Sequence, residues 1–200
     1  MLKLGLDPGA WRLYSIRDKD SSFASFKKKI IARDNSTCQY CDFQAFEDMC
    51  VVNRDYNYKN NKGENLITAC PFCAQCHFLI MAGSYDFAGG TIIYLPEISQ
   101  ETINSLCHVI FCSILNSSDQ ADFFQQIYND LRLRSNIVEE KLGKGLSDPK
   151  FFAQMLIDTP LKNKNTMVSE ILVNVRLLPS KNGFAKQVLK WSKQSLESFA

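Results

Sequence analysis

Four cysteines in two matched pairs are the residues of this sequence best suited to chemistry: Cys38-Gln39-Tyr40-Cys41 and Cys70-Pro71-Phe72-Cys73. A Cys-x-x-Cys turn places two sulfurs on one side of a tight knuckle, and two knuckles complete a tetrahedron. Structural zinc takes that tetrahedral geometry, with thiolates at about 2.3 Å. The spacing therefore assigns Cys38, Cys41, Cys70 and Cys73 as ligands of one structural zinc. Four thiolates leave no open position for water, so such a metal holds a fold and does not catalyse. Tyr40 and Phe72, inside the knuckles, are placed to shield the sulfurs. Cys73-Ala74-Gln75-Cys76 repeats the spacing and His77 follows it, so Cys76 or His77 stands as an alternative to Cys73. Cys50, Cys107 and Cys112 have no partner at ligand spacing and are expected to be buried as small hydrophobes. His108 lies in an apolar helical stretch and reads as a core histidine; it and His77 are the two histidines of the chain.

These ligands need elements to position them. Leu2, Leu4 and Leu6 alternate up to Asp7-Pro8-Gly9, which predicts a strand entering a turn, with Trp11 to Ile16 returning as a second strand. Ser21 and Ser22 cap a helix from Phe23 to Arg33, with Phe23, Phe26, Ile30 and Ile31 inward. Asp34-Asn35-Ser36 ends it, and Cys38 follows at once. Residues 53–64 are polar and Asn-rich, a loop. A short helix is expected from Cys73 to Met81, and a strand from Thr91 to Leu95. After Pro96 the pattern is helical. Ser99 caps a helix to Leu115 with Ile103, Leu106, Ile110 and Ile114 on one face. A second helix runs from Ser118 or Asp119 to Leu142, stopped by Gly143, and a third from Lys150 to Ile157. Ile171, Val173, Val175 and Leu177 alternate as a strand ending at Pro179. Gly183 precedes a last amphipathic helix, which runs to about Phe199. The fold class is α+β: a zinc-binding unit over 1–96, then a mostly helical part over 97–200 packed on it, or both as one continuous domain.

Composition narrows the function classes. The chain has 200 residues, 46% of them hydrophobic, with a formal net charge of +2. That charge gives no field strong enough to argue for nucleic acid as a partner. Lys27-Lys28-Lys29 reads as a solvated helix face. No signal peptide is visible at the start, and no window approaches the roughly 20 apolar residues of a membrane span, so no membrane insertion is expected. A cytosolic setting argues against disulfides for the eight cysteines and for metal binding or burial.

Two resemblances extend this reading. The runs Ala32-Arg33-Asp34-Asn35-Ser36-Thr37-Cys38-Gln39-Tyr40-Cys41 and Gly63-Glu64-Asn65-Leu66-Ile67-Thr68-Ala69-Cys70-Pro71-Phe72-Cys73 resemble an HNH endonuclease domain with a four-cysteine zinc. The resemblance implies an HNH-like ββα core clamped by the metal. A nuclease of that family needs a histidine general base and ligands for a catalytic cation. They would fall near Val51-Val52-Asn53-Arg54, where there is no histidine. The family's middle asparagine corresponds to Asn65. The last position is Ala74, and His77 fills it only if the second knuckle shifts to Cys73 and Cys76. No catalytic residue is assigned.

With Met1-Leu2-Lys3-Leu4-Gly5-Leu6-Asp7-Pro8-Gly9-Ala10 ahead of that core and a long helical remainder behind it, the whole chain is similar to the IcmJ family of the Dot/Icm type IVB secretion system. That similarity implies a non-catalytic, cytoplasmic subunit of the type IV coupling complex, peripheral to the inner membrane. It would bind the C-terminal extension of the DotL ATPase, alongside DotM, the IcmS–IcmW pair and LvgA, and support effector recruitment. The alternatives are an HNH-like nuclease and a nucleic-acid-binding zinc module. The missing histidine weighs against the first and the near-neutral charge against the second.

Overall fold

The N-terminal residues do not form the expected hairpin. The computed structural model describes residues 1–84 and 87–198, and side chains for all of these except 161–167 and 195–198. Leu2 to Leu6 form no strand; they dock on the 3-10 segment Gln75–Met81 through Gly5 N to Cys76 O (2.7 Å) and Leu79 N to Gly5 O (3.2 Å). A Cβ at Gly5 would sit 2.2 Å from the His77 carbonyl oxygen, so this close approach requires glycine. Asp7-Pro8 then starts helix α1 (Pro8–Lys19) where a second strand is expected. The Asp7 carboxylate accepts from Gly9 N at 2.8 Å and Pro8 takes the first helical turn, where its missing N–H costs nothing. The Asp-Pro pair is a helix start here, not a hairpin turn.

Helix α2 (Ser21–Arg33) ends as expected and buries Phe23 and Ile30, but it starts two residues early: Asp20, whose carboxylate accepts from Ser22 N, is the cap, and Ser21 and Ser22 lie inside the first turn. Strands β1 (Cys50–Asn53) and β2 (Leu66–Ala69) form an antiparallel hairpin, Cys50 opposite Ala69 and Asn53 opposite Leu66. Helix α3 (Pro71–Ala74) follows directly and leads into the 3-10 segment. Hairpin and helix thus succeed one another in the order β, β, α.

The remainder is mostly helical: α4 (Gln100–Leu115), α5 (Ala121–Leu133), α6 (Ser135–Leu142), α7 (Pro149–Asp158), α8 (Leu161–Asn174) and α9 (Lys181–Ser198). The expected end of α9 at Phe199 lies outside the described residues. The single helix expected up to Leu142 is broken at Arg134. Its carbonyl accepts from Tyr94 N (3.3 Å) and its guanidinium reaches Glu97 (2.9 Å), which turns the chain between α5 and α6. Helix α8 has no counterpart among the sequence expectations.

Strand β3 (Gly90–Tyr94) pairs antiparallel with β4 (Val175–Pro179), from Gly90 opposite Pro179 to Tyr94 opposite Val175. The strand expected from Ile171 begins at Val175, because its partner ends at Tyr94 and leaves no edge for Ile171 and Val173. Residues on both sides of Pro96 share one buried cluster running from Leu2 to Trp191. Among the described residues no helix is long and apolar enough to cross a membrane. Fold class is α+β, with two small sheets in a mainly helical chain.

Candidate metal centre

Both knuckles are built by short-range geometry. The first follows α2 through two residues in the left-handed region, Asn35 (φ 51°) and Ser36 (φ 53°). It closes with Cys38 N to Phe43 O (2.8 Å) and Asp42 N to Cys38 O (3.0 Å). Arg33 and Asp34 anchor this end of α2 to the hairpin. Arg33 donates to Gly63 O (2.8 Å) and Leu66 O (2.7 Å), and Asp34 accepts from Thr68 N (2.8 Å). Across the gap, Gln39 N donates to Thr68 O at 2.9 Å. The second knuckle is the start of α3: Cys70 precedes Pro71, and the amides of Cys73 and Ala74 both bond to Cys70 O.

Cys38, Cys41, Cys70 and Cys73 are buried, and their sulfurs all lie within 4.8 Å of one another. The Cys41 and Cys70 sulfurs are 3.6 Å apart. Four thiolates at zinc distance from a common centre are about 3.8 Å apart, so the set fits a tetrahedral ion. The acid–base chemistry agrees. Burial pushes the Cys70 and Cys73 thiols well up, while hydrogen bonds from Cys41, Cys70 and Cys73 pull Cys38 down. Four thiolates in so small a buried volume would repel one another, and a cation bound among them would remove that penalty.

Cys76 and His77 lie outside this group. The Cys76 thiol donates to Phe72 O at 3.4 Å. His77 is held between two hydroxyls, Tyr40 on Nε2 (3.0 Å) and Tyr58 on Nδ1 (2.9 Å), with Tyr56 stacked 4.0 Å away. Burial pushes its pKa down to about 3, so the ring is neutral and both nitrogens are occupied. Cys107 is buried as expected, but Cys112 is exposed and Cys50 is half-buried. The reading of all three as buried hydrophobes holds for Cys107 alone.

Several contributors to this region carry no sequence motif. His108 is more than a core histidine: its Nε2 lies 3.3 Å from Cys70 Sγ, its ring between Phe43 (3.6 Å) and Phe72 (4.0 Å). Asn104, one turn earlier, places Nδ2 3.2 Å from Cys73 Sγ. Their only trace in sequence is two polar residues four apart on the apolar face of α4. Arg17 of α1 reaches β1 and the loop after it. It donates to Asn53 Oδ1 (2.6 Å), Asn61 Oδ1 (2.6 Å) and Val51 O (2.7 Å). Asn65 bonds to Asp55 Oδ1 (2.9 Å) and Asn60 O (2.8 Å), holding the loop between the strands.

Fold and site together define an α+β protein whose hairpin and first helical turns close around a buried four-cysteine cluster. No family model matches the chain. It is 48% identical over 199 residues, covering 100% of this chain and 92% of the relative, to the type 4 apparatus protein DotN of Legionella pneumophila. The chain belongs to the DotN family, in agreement with the whole-chain resemblance to IcmJ.

Proposed function

We propose that this chain is a non-catalytic, zinc-stabilised subunit of the Dot/Icm type IV coupling complex that binds the C-terminal extension of the DotL ATPase. Full-length similarity to a type 4 apparatus protein is the observation that carries this reading. In it, Cys38, Cys41, Cys70 and Cys73 hold one structural zinc, the surrounding core is HNH-like, and 1–96 and 97–200 act as one continuous unit. DotM, IcmS–IcmW and LvgA are the neighbours, and effector recruitment is the task served. The protein is cytoplasmic, brought to the inner membrane by its complex.

Two features support a binding role over a nuclease. Val51 to Arg54 contains no histidine, and the side chains of Asn53 and Asn65 are engaged in holding the hairpin loop. A groove of about 770 Å³ between α4, α5 and α9, lined by Phe43, Val109, Phe124, Val188 and Trp191 among others, offers apolar area to a partner. A segment that orders on binding must bury such area to offset its lost entropy.

Calorimetric titration of the whole protein with the DotL C-terminal extension tests the reading. Affinity weaker than about 10 μM, an association free energy of only some −7 kcal/mol, would be too feeble for a stable subunit. The nuclease alternative makes the opposite prediction. Plasmid cleavage in Mg²⁺ or Mn²⁺ that is lost in Asn65→Ala would establish it.

A further inference from the structure

Helix α4 follows Pro96, yet it reaches the cysteine cluster with two side chains. Asn104 Nδ2 lies 3.2 Å from Cys73 Sγ and 3.9 Å from Cys76 Sγ, and His108 Nε2 lies 3.3 Å from Cys70 Sγ. Residues four apart in a helix share a face, so one helix surface delivers both contacts. Both are buried, at 0% and 8% exposure.

Neither group is free to turn away. Asn104 Oδ1 accepts from Gln100 Nε2 (3.0 Å), which fixes the amide with Nδ2 towards the sulfurs. Gln100 in turn exchanges two hydrogen bonds with the Leu177 backbone, both 2.8 Å, so the chain of contacts ends in β4. The His108 ring is clamped between two stacked phenylalanines.

We propose that Asn104 and His108 are positioning residues for the metal: each donates an N–H to a thiolate, and together they set how tightly the four-cysteine site holds its ion. This rests on the metal reading above. A divalent ion with four thiolates carries a net charge of −2, buried here among apolar side chains. Hydrogen bonds to the sulfurs stabilise that charge, and charge-assisted bonds are the strong ones. A metal-bound thiolate has no proton to donate, so the hydrogen in each contact must come from the amide or the imidazole. The metal and the near face of α4 are then linked through these two donors, while the opposite contacts of α4 with β4 remain in place.

The full chain, loaded with Zn²⁺ or Co²⁺, provides the test through chelator competition and the cobalt–thiolate charge-transfer band. Asn104→Asp keeps the volume and the acceptor for Gln100 but turns a donor into a carboxylate facing a thiolate. Zinc affinity should fall on the order of 100-fold in that variant, and about 10-fold in His108→Leu, the range of second-sphere effects on metal sites. The charge-transfer band should move to lower energy in both, since a thiolate without its hydrogen bond is easier to oxidise. His108→Gln, which offers an amide N–H, should recover part of the loss. A purely structural role would lower thermal stability in these variants but leave the band in place. Unchanged affinity and an unchanged band in His108→Leu and Asn104→Asp would overturn the proposal while leaving the metal reading intact. If Asn104→Asp fails to fold, the His108 pair decides alone. A wild-type chain that takes up neither Zn²⁺ nor Co²⁺ would refute the metal reading and the donor role together.

Discussion

The β1–β2 hairpin and the β3–β4 sheet are both two strands wide and both bury apolar side chains, but only the first is also tied together by a polar loop and a cysteine cluster. In the first, the strands are joined by a polar loop that is tied back to the hairpin by side chains: Asn53 Nδ2 to Asn57 O (3.0 Å) and Asn60 O (2.8 Å), Asn65 to Asp55 and Asn60, Arg17 to Asn53 and Asn61. Its outer end leads into the cysteine cluster. In the second, the strands come from opposite ends of the helical part. Ile92, Ile93, Leu177 and Leu178 are all essentially fully buried. Val51, Val52, Leu66 and Ile67 of the first sheet are as deeply buried, so what sets that sheet apart is the polar network and the four sulfurs added to its apolar core. Loss of the metal should therefore weaken the first sheet more than the second, whose stability should fall in proportion to the apolar area removed.

The largest expected effect is loss of the metal. In small zinc modules metal binding supplies on the order of 10 kcal/mol of folding free energy. The Cys38→Ser, Cys70→Ser double variant should lose bound zinc and soluble protein together, and elemental analysis that finds full zinc in it would refute the ligand assignment. Chelation of the wild type sharpens the contrast. By hydrogen exchange, amides of 50–53 and 66–69 should lose protection before those of Ile92, Ile93, Leu177 and Leu178. Simultaneous loss in both sheets would mean that α4 couples them into one cooperative unit.

Next comes a cavity in the second sheet. Leu177→Ala removes a fully buried side chain and should cost about 2–5 kcal/mol in denaturant unfolding, with zinc content unchanged. Arg17→Met tests the polar side of the comparison. It would leave the Val51 carbonyl and the Asn53 and Asn61 amides without their donor, at a cost of about 1–3 kcal/mol, again by urea unfolding. A neutral result would mean that the loop network is satisfied without it.

What could be read from sequence divides along the same line. The cysteine pairs were legible because ligand spacing is itself a chemical requirement. Helices α2 and α4 were legible because Phe23 and Ile30, or Ile103 and Ile110, mark a face at helical period; Ser99 was read as the cap of α4, whereas the cap of α2 is Asp20 and not Ser21 or Ser22. The break at Arg134 was not, since its cause is a carbonyl that Tyr94 captures from another element. Helix α8 runs from Leu161 through residues whose alternation, Ile171 and Val173, imitates a strand. Asn104, His108 and Arg17 act through contacts 31, 38 and 36 residues away along the chain, and no local pattern encodes such a meeting.

The smallest effect belongs to Asp7, where alternation of Leu2, Leu4 and Leu6 suggested a hairpin and the chain makes a helix. Two forces could hold α1 in place. One is its cap, the Asp7 carboxylate on Gly9 N at 2.8 Å, helped by the favourable charge at a helix N-terminus. The other is packing: Trp11 meets Phe78 and Phe87 edge-on at 5.5 Å each, and Tyr14 is buried against Phe78. The cap is exposed and the packing is not, so the cap should contribute only a modest share. Asp7→Ala is expected to lower stability by about 1 kcal/mol, read as a shift in the urea midpoint at constant slope. Asp7→Asn should be nearly neutral, because the amide oxygen caps as well as the carboxylate. An Asp7→Ala midpoint equal to wild type would show that the aromatic contacts alone keep α1 helical. A loss well above 2 kcal/mol would mean that the docked segment before it, from Leu2 to Leu6, comes away with the cap.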